Sequence, residues 1–142
     1  MKKIKLFIKI IIVSIILNSP TFAGNNFFSE GKVFFDNKKM EKAKFKFEQD
    51  IVFNPKNEMS YLYLSKIYKK ENNFEKEEIN LNTVILLNPQ NEEAVYNLIT
   101  LNISRSDFSS AKNLLENFSV ICKKLCNKKS SVESKLKDSL KR

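Results

Sequence analysis

An all-α solenoid, about three stacked helical hairpins closed by a C-terminal helix, is the fold this sequence predicts, and two observations carry the prediction. The stretch Asn54-Pro55-Lys56-Asn57-Glu58 returns as Asn88-Pro89-Gln90-Asn91-Glu92, with the prolines 34 residues apart. At the same step the apolar positions fall into columns: Phe27, Tyr61 and Val95; Met40, Phe74 and Phe108; Phe47, Leu81 and Leu115. Gly31, Ser65 and Ile99 make a further column, as do Phe34, Tyr68 and Asn102, and Ala43, Glu77 and Ala111. A period of this length belongs to hairpins that cannot bury an apolar face alone and therefore stack on their neighbours.

Each column has a physical role. Gly31 and Ser65 let the two helices of a hairpin approach closely, and Ala43 does the same from the second helix. The aromatics fill the space between hairpins. Pro55 and Pro89 end the second helices because proline has no backbone N–H to donate. Together the columns resemble the tetratricopeptide repeat family. That pattern wants an aromatic, a small residue four later, and an aromatic three after that. An alanine follows nine further on, then an aromatic or leucine, and a proline eight residues later. The first repeat keeps all of these in Phe27, Gly31, Phe34, Ala43, Phe47 and Pro55. The second, with Tyr61, Ser65, Tyr68, Leu81 and Pro89, has Glu77 where the alanine belongs. The third keeps the spacing but drifts, with Val95, Ile99, Asn102, Ala111 and Leu115, and Lys123 in place of proline, as suits a repeat that ends a stack. The resemblance implies repeats over about 24–57, 58–91 and 92–125, and a non-enzymatic scaffold or adaptor that binds other proteins.

The register predicts helices near 26–37, 40–53, 58–70, 74–87, 92–104 and 107–120, and a last one near 131–141. Short turns join the paired helices at Asn37-Lys38-Lys39, Glu71-Asn72-Asn73 and Arg105-Ser106, and Asn and Asp suit such turns and helix starts because their side chains bond nearby backbone amides. Ser130 followed by Glu133 reads as a capping box for the last helix. Its stripe of Val132, Leu136 and Leu140 should cover the open face of the final repeat.

Residues 1–23 stand apart from this fold. Lys2, Lys3 and Lys5 precede an apolar run, Asn18-Ser19-Pro20 breaks it, and Thr21-Phe22-Ala23 offers small residues where a signal peptidase reads. This is the pattern of a secretory signal peptide cleaved after Ala23, leaving a domain over 24–142 that is periplasmic or secreted. The clean apolar stretch, Ile10 to Leu17, is far short of the ~20 residues that span a bilayer, so no stable membrane span is expected after cleavage. The formal charge of +9 is unevenly spread. The signal holds four of the lysines. From Lys123 onward, Lys124, Lys128, Lys129, Lys135, Lys137, Lys141 and Arg142 face only Glu133 and Asp138. The basic character is a C-terminal feature, while the repeats are nearly neutral.

Catalysis finds little to work with. The absence of histidine removes the commonest general base and metal ligand near neutral pH, and a chain with 2 glycines has no glycine-rich phosphate loop. Neither an enzyme nor a cofactor or metal site is expected. The pairs Glu77-Glu78 and Glu92-Glu93 are adjacent in sequence, point to different sides of a helix and read as solvated surface. Cys122 and Cys126 are the only cysteines. In an exported chain such a pair reads as a disulfide, with free thiols as the alternative; a redox pair normally has two residues between, and zinc needs more ligands. Their spacing suits no bond inside a regular helix, so the last repeat helix should end by about Ile121 and a bridge would pin the loop after it. Some exported tetratricopeptide proteins carry a similar pair after the last repeat, which supports the disulfide.

Stacked hairpins curve, and the first helix of each lines the concave side. Phe28, Lys32 and Phe35, then Leu62, Lys66 and Lys69, then Tyr96, Thr100 and Ile103 are the residues expected to face this groove. Lys32 and Lys66 make one column and Phe28, Leu62 and Tyr96 another, a pairing that suits a peptide or protein segment with acidic and apolar side chains. The competing reading has Phe28, Leu62 and Tyr96 packing on each other or on the segment Gly24 to Phe27. The family's clamp for a C-terminal carboxylate is not carried over, because these three residues depart from it. An alternative function is attachment to an anionic surface through the basic tail. Nucleic acid is not expected, since the tail has no aromatics to stack on bases. The phenylalanines of the first hairpin (Phe27, Phe28, Phe34, Phe35, Phe45, Phe47, Phe53) exceed what one small core needs, which points to a homo-oligomer through that hairpin.

Overall fold

The turns organise the chain. In a computed structural model that describes residues 26–141, Lys38, Asn72 and Ser106 each adopt left-handed backbone, with φ of 58°, 54° and 61°. They stand at the same place in three successive repeats. Each is followed by a residue whose N–H reaches back five positions: Lys39 to the carbonyl of Phe34, Asn73 to that of Tyr68, and Asp107 to that of Asn102, all at 2.9 Å. This closure satisfies carbonyls that a helix end leaves free and reverses the chain in three residues. The expected signal segment, 1–23, and its cleavage point lie outside the described residues.

The hairpins so made are α1 (Phe27–Asp36) with α2 (Met40–Phe53), α3 (Glu58–Lys70) with α4 (Phe74–Leu87), and α5 (Glu92–Ser104) with α6 (Phe108–Ile121). A short 3-10 turn, Cys126–Lys128, leads into α7 (Lys129–Ser139). Each helix packs chiefly on its hairpin partner, and the second helix of one hairpin packs on the first helix of the next. Side-chain caps start four of the helices. Asn57, Asn73, Asn91 and Asp107 accept from the N–H of Met59, Lys76, Ala94 and Ser110 respectively. Among the described residues no helix is long and apolar enough to cross a membrane.

The core runs through the stack in three linked clusters. Ala43, Phe47, Leu64, Ile67 and Tyr68 hold the first hairpin to the second. Leu81, Val84, Ala94, Leu98 and Leu101 join the second to the third. Val95, Ile99, Ala111, Leu115 and Phe118 close the third under Val132 and Leu136 of α7. Gly31 is where α1 and α2 come nearest: a β-carbon there would stand 2.7 Å from Cε1 of Phe47. One charge is enclosed between the first two hairpins. Asp50 is 1% exposed and accepts from Asn54 Nδ2 at 2.9 Å, Asn57 Nδ2 at 2.7 Å and the Ser60 hydroxyl at 2.5 Å. The Asn-Pro-x-Asn turn is thus tied to the helix it ends, because a buried carboxylate requires donors around it.

Ion pairs join successive hairpins on the outside. Lys44 of α2 meets Glu71 at the end of α3 at 2.8 Å, and that contact holds its ammonium well above the ordinary lysine range. One repeat on, Glu78 of α4 meets Arg105 at the end of α5, the same two positions with the charges exchanged.

The C-terminal cap differs from the sequence expectation in two ways. The helix begins at Lys129, so Ser130 lies inside it and the Ser130–Glu133 capping box does not form; Glu133 instead stands 3.7 Å from Lys129. The 3-10 turn accounts for this, since it feeds the chain into the helix already wound. Val132 and Leu136 are buried as expected, but Leu140 falls beyond the helix end and is 62% exposed. The phenylalanines of the first hairpin are largely consumed by packing. Phe28, Phe34 and Phe35 lie against its cluster and Phe27 against Phe53 at 5.4 Å, leaving Phe45 and Phe53 the exposed ones.

Candidate functional site

The first helices of successive hairpins leave a depression between them. It has a volume of about 370 Å3 and is lined by Phe35 of α1, by Ser65, Lys66, Lys69 and Lys70 of α3, by Glu77 of α4, and by Glu93 and Asn97 of α5. A second depression of about 260 Å3, between α3, α4 and α5, shares Lys69 and Glu77 with it and adds Asn72, Phe74, Thr100, Leu101 and Ser104. The two form one trough that crosses the stack.

Charge in the trough is mixed and layered. Lys66 Nζ is paired with Glu93 at 2.8 Å and lies 4.8 Å from the Tyr63 ring. Lys70 Nζ sits 4.9 Å from the ring of Phe35. Lys69 and Lys70 are exposed at the rim. Glu77 forms the floor at 2% exposure, and burial pushes its carboxyl above the ordinary range, opposed by the positive charge of Lys69.

Of the residues the sequence assigned to a groove, Phe35, Lys66 and Lys69 come together in the first depression and Thr100 lines the second. Lys32 stays on the surface in an ion pair with Asp36 of its own helix at 2.8 Å, which raises its pKa. Leu62 is a correction: at 1% exposure it is core, held among Leu81, Val84, Ala94, Leu98 and Leu101. Phe28 and Tyr96, in its column, are also turned to packing. The Phe28 ring lies 5.9 Å from that of Phe47 and 5.8 Å from that of Tyr63, and Tyr96 lies 6.2 Å from Phe118. The physical reason is common to the three. This column points between hairpins, where each member wedges its own second helix against the next element. Ile103 likewise packs against the third cluster.

Sequence reasoning missed Ser65, Lys70, Glu77, Glu93 and Asn97. The signal for Glu77 was in plain view as the one breach in the column of alanines, Ala43 and Ala111 being 0% exposed. The acidic pairs are not free surface. Glu78 meets Arg105, Glu93 meets Lys66, and Glu92 at the start of α5 accepts backbone N–H bonds from Lys124 at 2.9 Å and Leu125 at 2.8 Å. The amides of Leu125, Lys123 and Lys124 hold the Glu92 carboxyl below its ordinary range. The loop that supplies them runs between Cys122 and Cys126, whose sulfurs lie within bonding distance with Cα atoms 5.2 Å apart, and α6 ends at Ile121 as the sequence required.

A scan of protein-family models gives no match, and no curated protein matches. Solved structures do. The first TPR of Spaghetti (RPAP3), bound to the HSP90 peptide SRMEEVD, superposes with a TM-score of 0.71 at 17% identity, covering 82% of this chain and 91% of that one. The Arabidopsis OM64 TPR domain gives 0.72 at 17% identity over 82% and 95%. The Yersinia enterocolitica type III secretion chaperone SycD, in complex with a peptide of the translocator YopD, gives 0.70 at 12% identity over 87% and 95%.

Proposed function

We propose that this chain, whose fold is that of a tetratricopeptide repeat domain, is a non-enzymatic binding module that holds a peptide or protein segment in the trough crossing α1, α3 and α5. The observation that carries the reading is the exposed pair Lys69 and Lys70 on the rim, beside the part-buried ring of Phe35. Lys69 enters no ion pair or side-chain hydrogen bond among the described residues, Lys70 stands over the Phe35 ring, and together they combine positive charge with an apolar face. Such a surface suits an extended or helical segment with acidic and apolar side chains. RPAP3 and SycD, which share the fold, are each seen with a peptide, and that of RPAP3 carries two glutamates and an aspartate. The lysine-rich start and apolar run before Ala23 support action outside the cytoplasm, in the periplasm or medium.

The test is capture from an envelope extract by immobilised residues 24–142. Changing Lys69 and Lys70 to glutamate should leave the helical signal intact, since exposed positions seldom shift stability by more than about 0.5 kcal/mol. Capture should fall at least about tenfold, or about 1.4 kcal/mol. Capture that survives this change, but is lost when Lys128, Lys129, Lys135 and Lys137 are neutralised, would move the function to the basic tail. N-terminal sequencing of protein recovered from cells should begin at Gly24; recovery of intact Met1 in the membrane fraction would overturn export.

A further inference from the structure

Glu77 is the anomaly of the trough. The equivalent residues in the other hairpins are Ala43 and Ala111, both fully buried where two helices touch. A glutamate in that place carries its carboxylate past the helix contact and into the floor, where it lines both depressions. It is 2% exposed, yet its carboxylate takes part in no hydrogen bond or ion pair with the described residues, and its one charged influence is Lys69. Compare Asp50, equally buried and surrounded by three donors. Among the described residues Gln49 Oε1 is the one sealed side-chain polar atom without a partner, so the Glu77 oxygens keep solvent contact through the trough; even so, proteins seldom carry the cost of a largely desolvated, unpaired carboxylate in a packing position that alanine would fill. The first turn of α4, which holds Glu77, offsets part of it through the helix dipole without supplying a hydrogen bond. Lys66 offers no relief, being engaged by Glu93.

We infer that Glu77 is the specificity residue of the trough and takes the cationic head of a lysine or arginine side chain from the bound segment. The inference rests on the binding role proposed above and refines it. The segment is then of mixed charge: its acidic side chains meet Lys69 and Lys70 at the rim, and one basic side chain reaches through to the floor. Entry of the cation supplies the donors that the carboxylate lacks, and the segment closing over the trough shields the charge-assisted hydrogen bond from water. Rejection works by the same geometry. A segment with an apolar residue at that position would close over the carboxylate and leave it buried and unpaired.

The probes are synthetic nine-residue peptides, N-acetylated, each with two aspartates and one variable position that is scanned along the sequence. That position holds lysine, arginine or norleucine, and a matching set has a free N-terminal amine instead. Binding is read by fluorescence anisotropy against three proteins: the parent, Glu77→Ala and Glu77→Gln. The parent should bind the best lysine or arginine peptide at least about tenfold tighter than its norleucine counterpart. Glu77→Ala should erase that preference while binding the norleucine peptide as well as or better than the parent, with an unfolding midpoint no lower than the parent's. Glu77→Gln should retain at most a small part of the preference. In the parent, the carboxyl carbon resonance of Glu77 should shift on adding the lysine peptide and not the norleucine one. A parent that binds the aspartate peptides through Lys69 and Lys70 but ignores the basic residue overturns this inference and leaves the proposed function standing. So does a preference that persists in Glu77→Ala. A preference for the free amine alone reassigns Glu77 to a chain terminus and overturns the side-chain assignment. A parent that binds no member of the panel sinks both.

Discussion

Replacing Gly31 by alanine tests the reason for the first hairpin's geometry. In an exposed helix the change would stabilise by roughly 0.5–1 kcal/mol, because glycine loses the most freedom on folding. Here the new β-carbon would stand 2.7 Å from Cε1 of Phe47, 2.8 Å from Cδ1 and 3.1 Å from Cζ. The ring cannot easily yield. Phe47 is 0% exposed, stacked on Tyr63 at 5.0 Å and met by Phe28 at 5.9 Å. Forcing a methyl group into a packed site costs about 1–3 kcal/mol. Against the helix gain, the net loss should be about 1 kcal/mol, a fall of about 4 °C in Tm. Urea unfolding followed by far-UV circular dichroism measures it, with an unchanged slope expected. A second variant isolates the cause. In a Phe47→Leu background the shorter, branched side chain can turn away, so Gly31→Ala should be neutral or stabilising there. A Gly31→Ala protein as stable as its parent would show that close helix approach does not govern the choice of glycine.

Asp50→Leu should lower stability by about 2–3 kcal/mol in urea titration, since the Asn57 amide and Ser60 hydroxyl would lose their acceptor inside the stack; a neutral result would mean that those donors find water. Glu92 has a folded pKa below the unfolded value, so its contribution is present above the unfolded pKa and is lost as pH falls through the folded one. The parent should therefore lose stability faster than Glu92→Gln does as pH falls from the ordinary carboxylate pKa through the lowered one, and parallel curves for the two would count against the amide nest. Replacing Cys122 and Cys126 by serine should cost no more than about 2 kcal/mol, because the loop is short. It should also shrink the Glu92 pKa shift measured by NMR, leaving the helical signal of the repeats in place; two freely labelled thiols in protein recovered from the cell envelope would remove the bridge from the account.

The repeat was legible because its evidence is positional. Columns at a fixed step located all six repeat helices to within about two residues, the small residue at Gly31, and the end of α6 before Cys122. What the columns could not supply was the direction in which each points. Phe28, Leu62 and Tyr96 lie on the first helices, as a groove requires, yet the twist between hairpins turns that column into the seam. Charge was misread for a related reason. Glu92 and Glu93 do face different ways, but each direction holds its own partner, Leu125 and Lys124 amides for one and Lys66 for the other. The trough floor escaped because it comes from α4, a second helix, through a residue seen at first only as a lost alanine.

The two outer ion pairs bear on how the stack keeps its order. Lys44 with Glu71, and Glu78 with Arg105, occupy equivalent places with opposite polarity. Each pair alone contributes little, about 0–1 kcal/mol at an exposed site. Units built on one pattern invite mistaken neighbours, however, and here each junction has its own address. If the first hairpin skipped the second and docked on the third, within a chain or between two chains exchanging segments, Lys44 would confront Arg105. If two copies of the second hairpin stacked on one another, Glu78 would confront Glu71. Correct succession is rewarded slightly and both substitutions of neighbour are penalised, so the sequence of hairpins is written in the polarity of its junctions as well as in its shape.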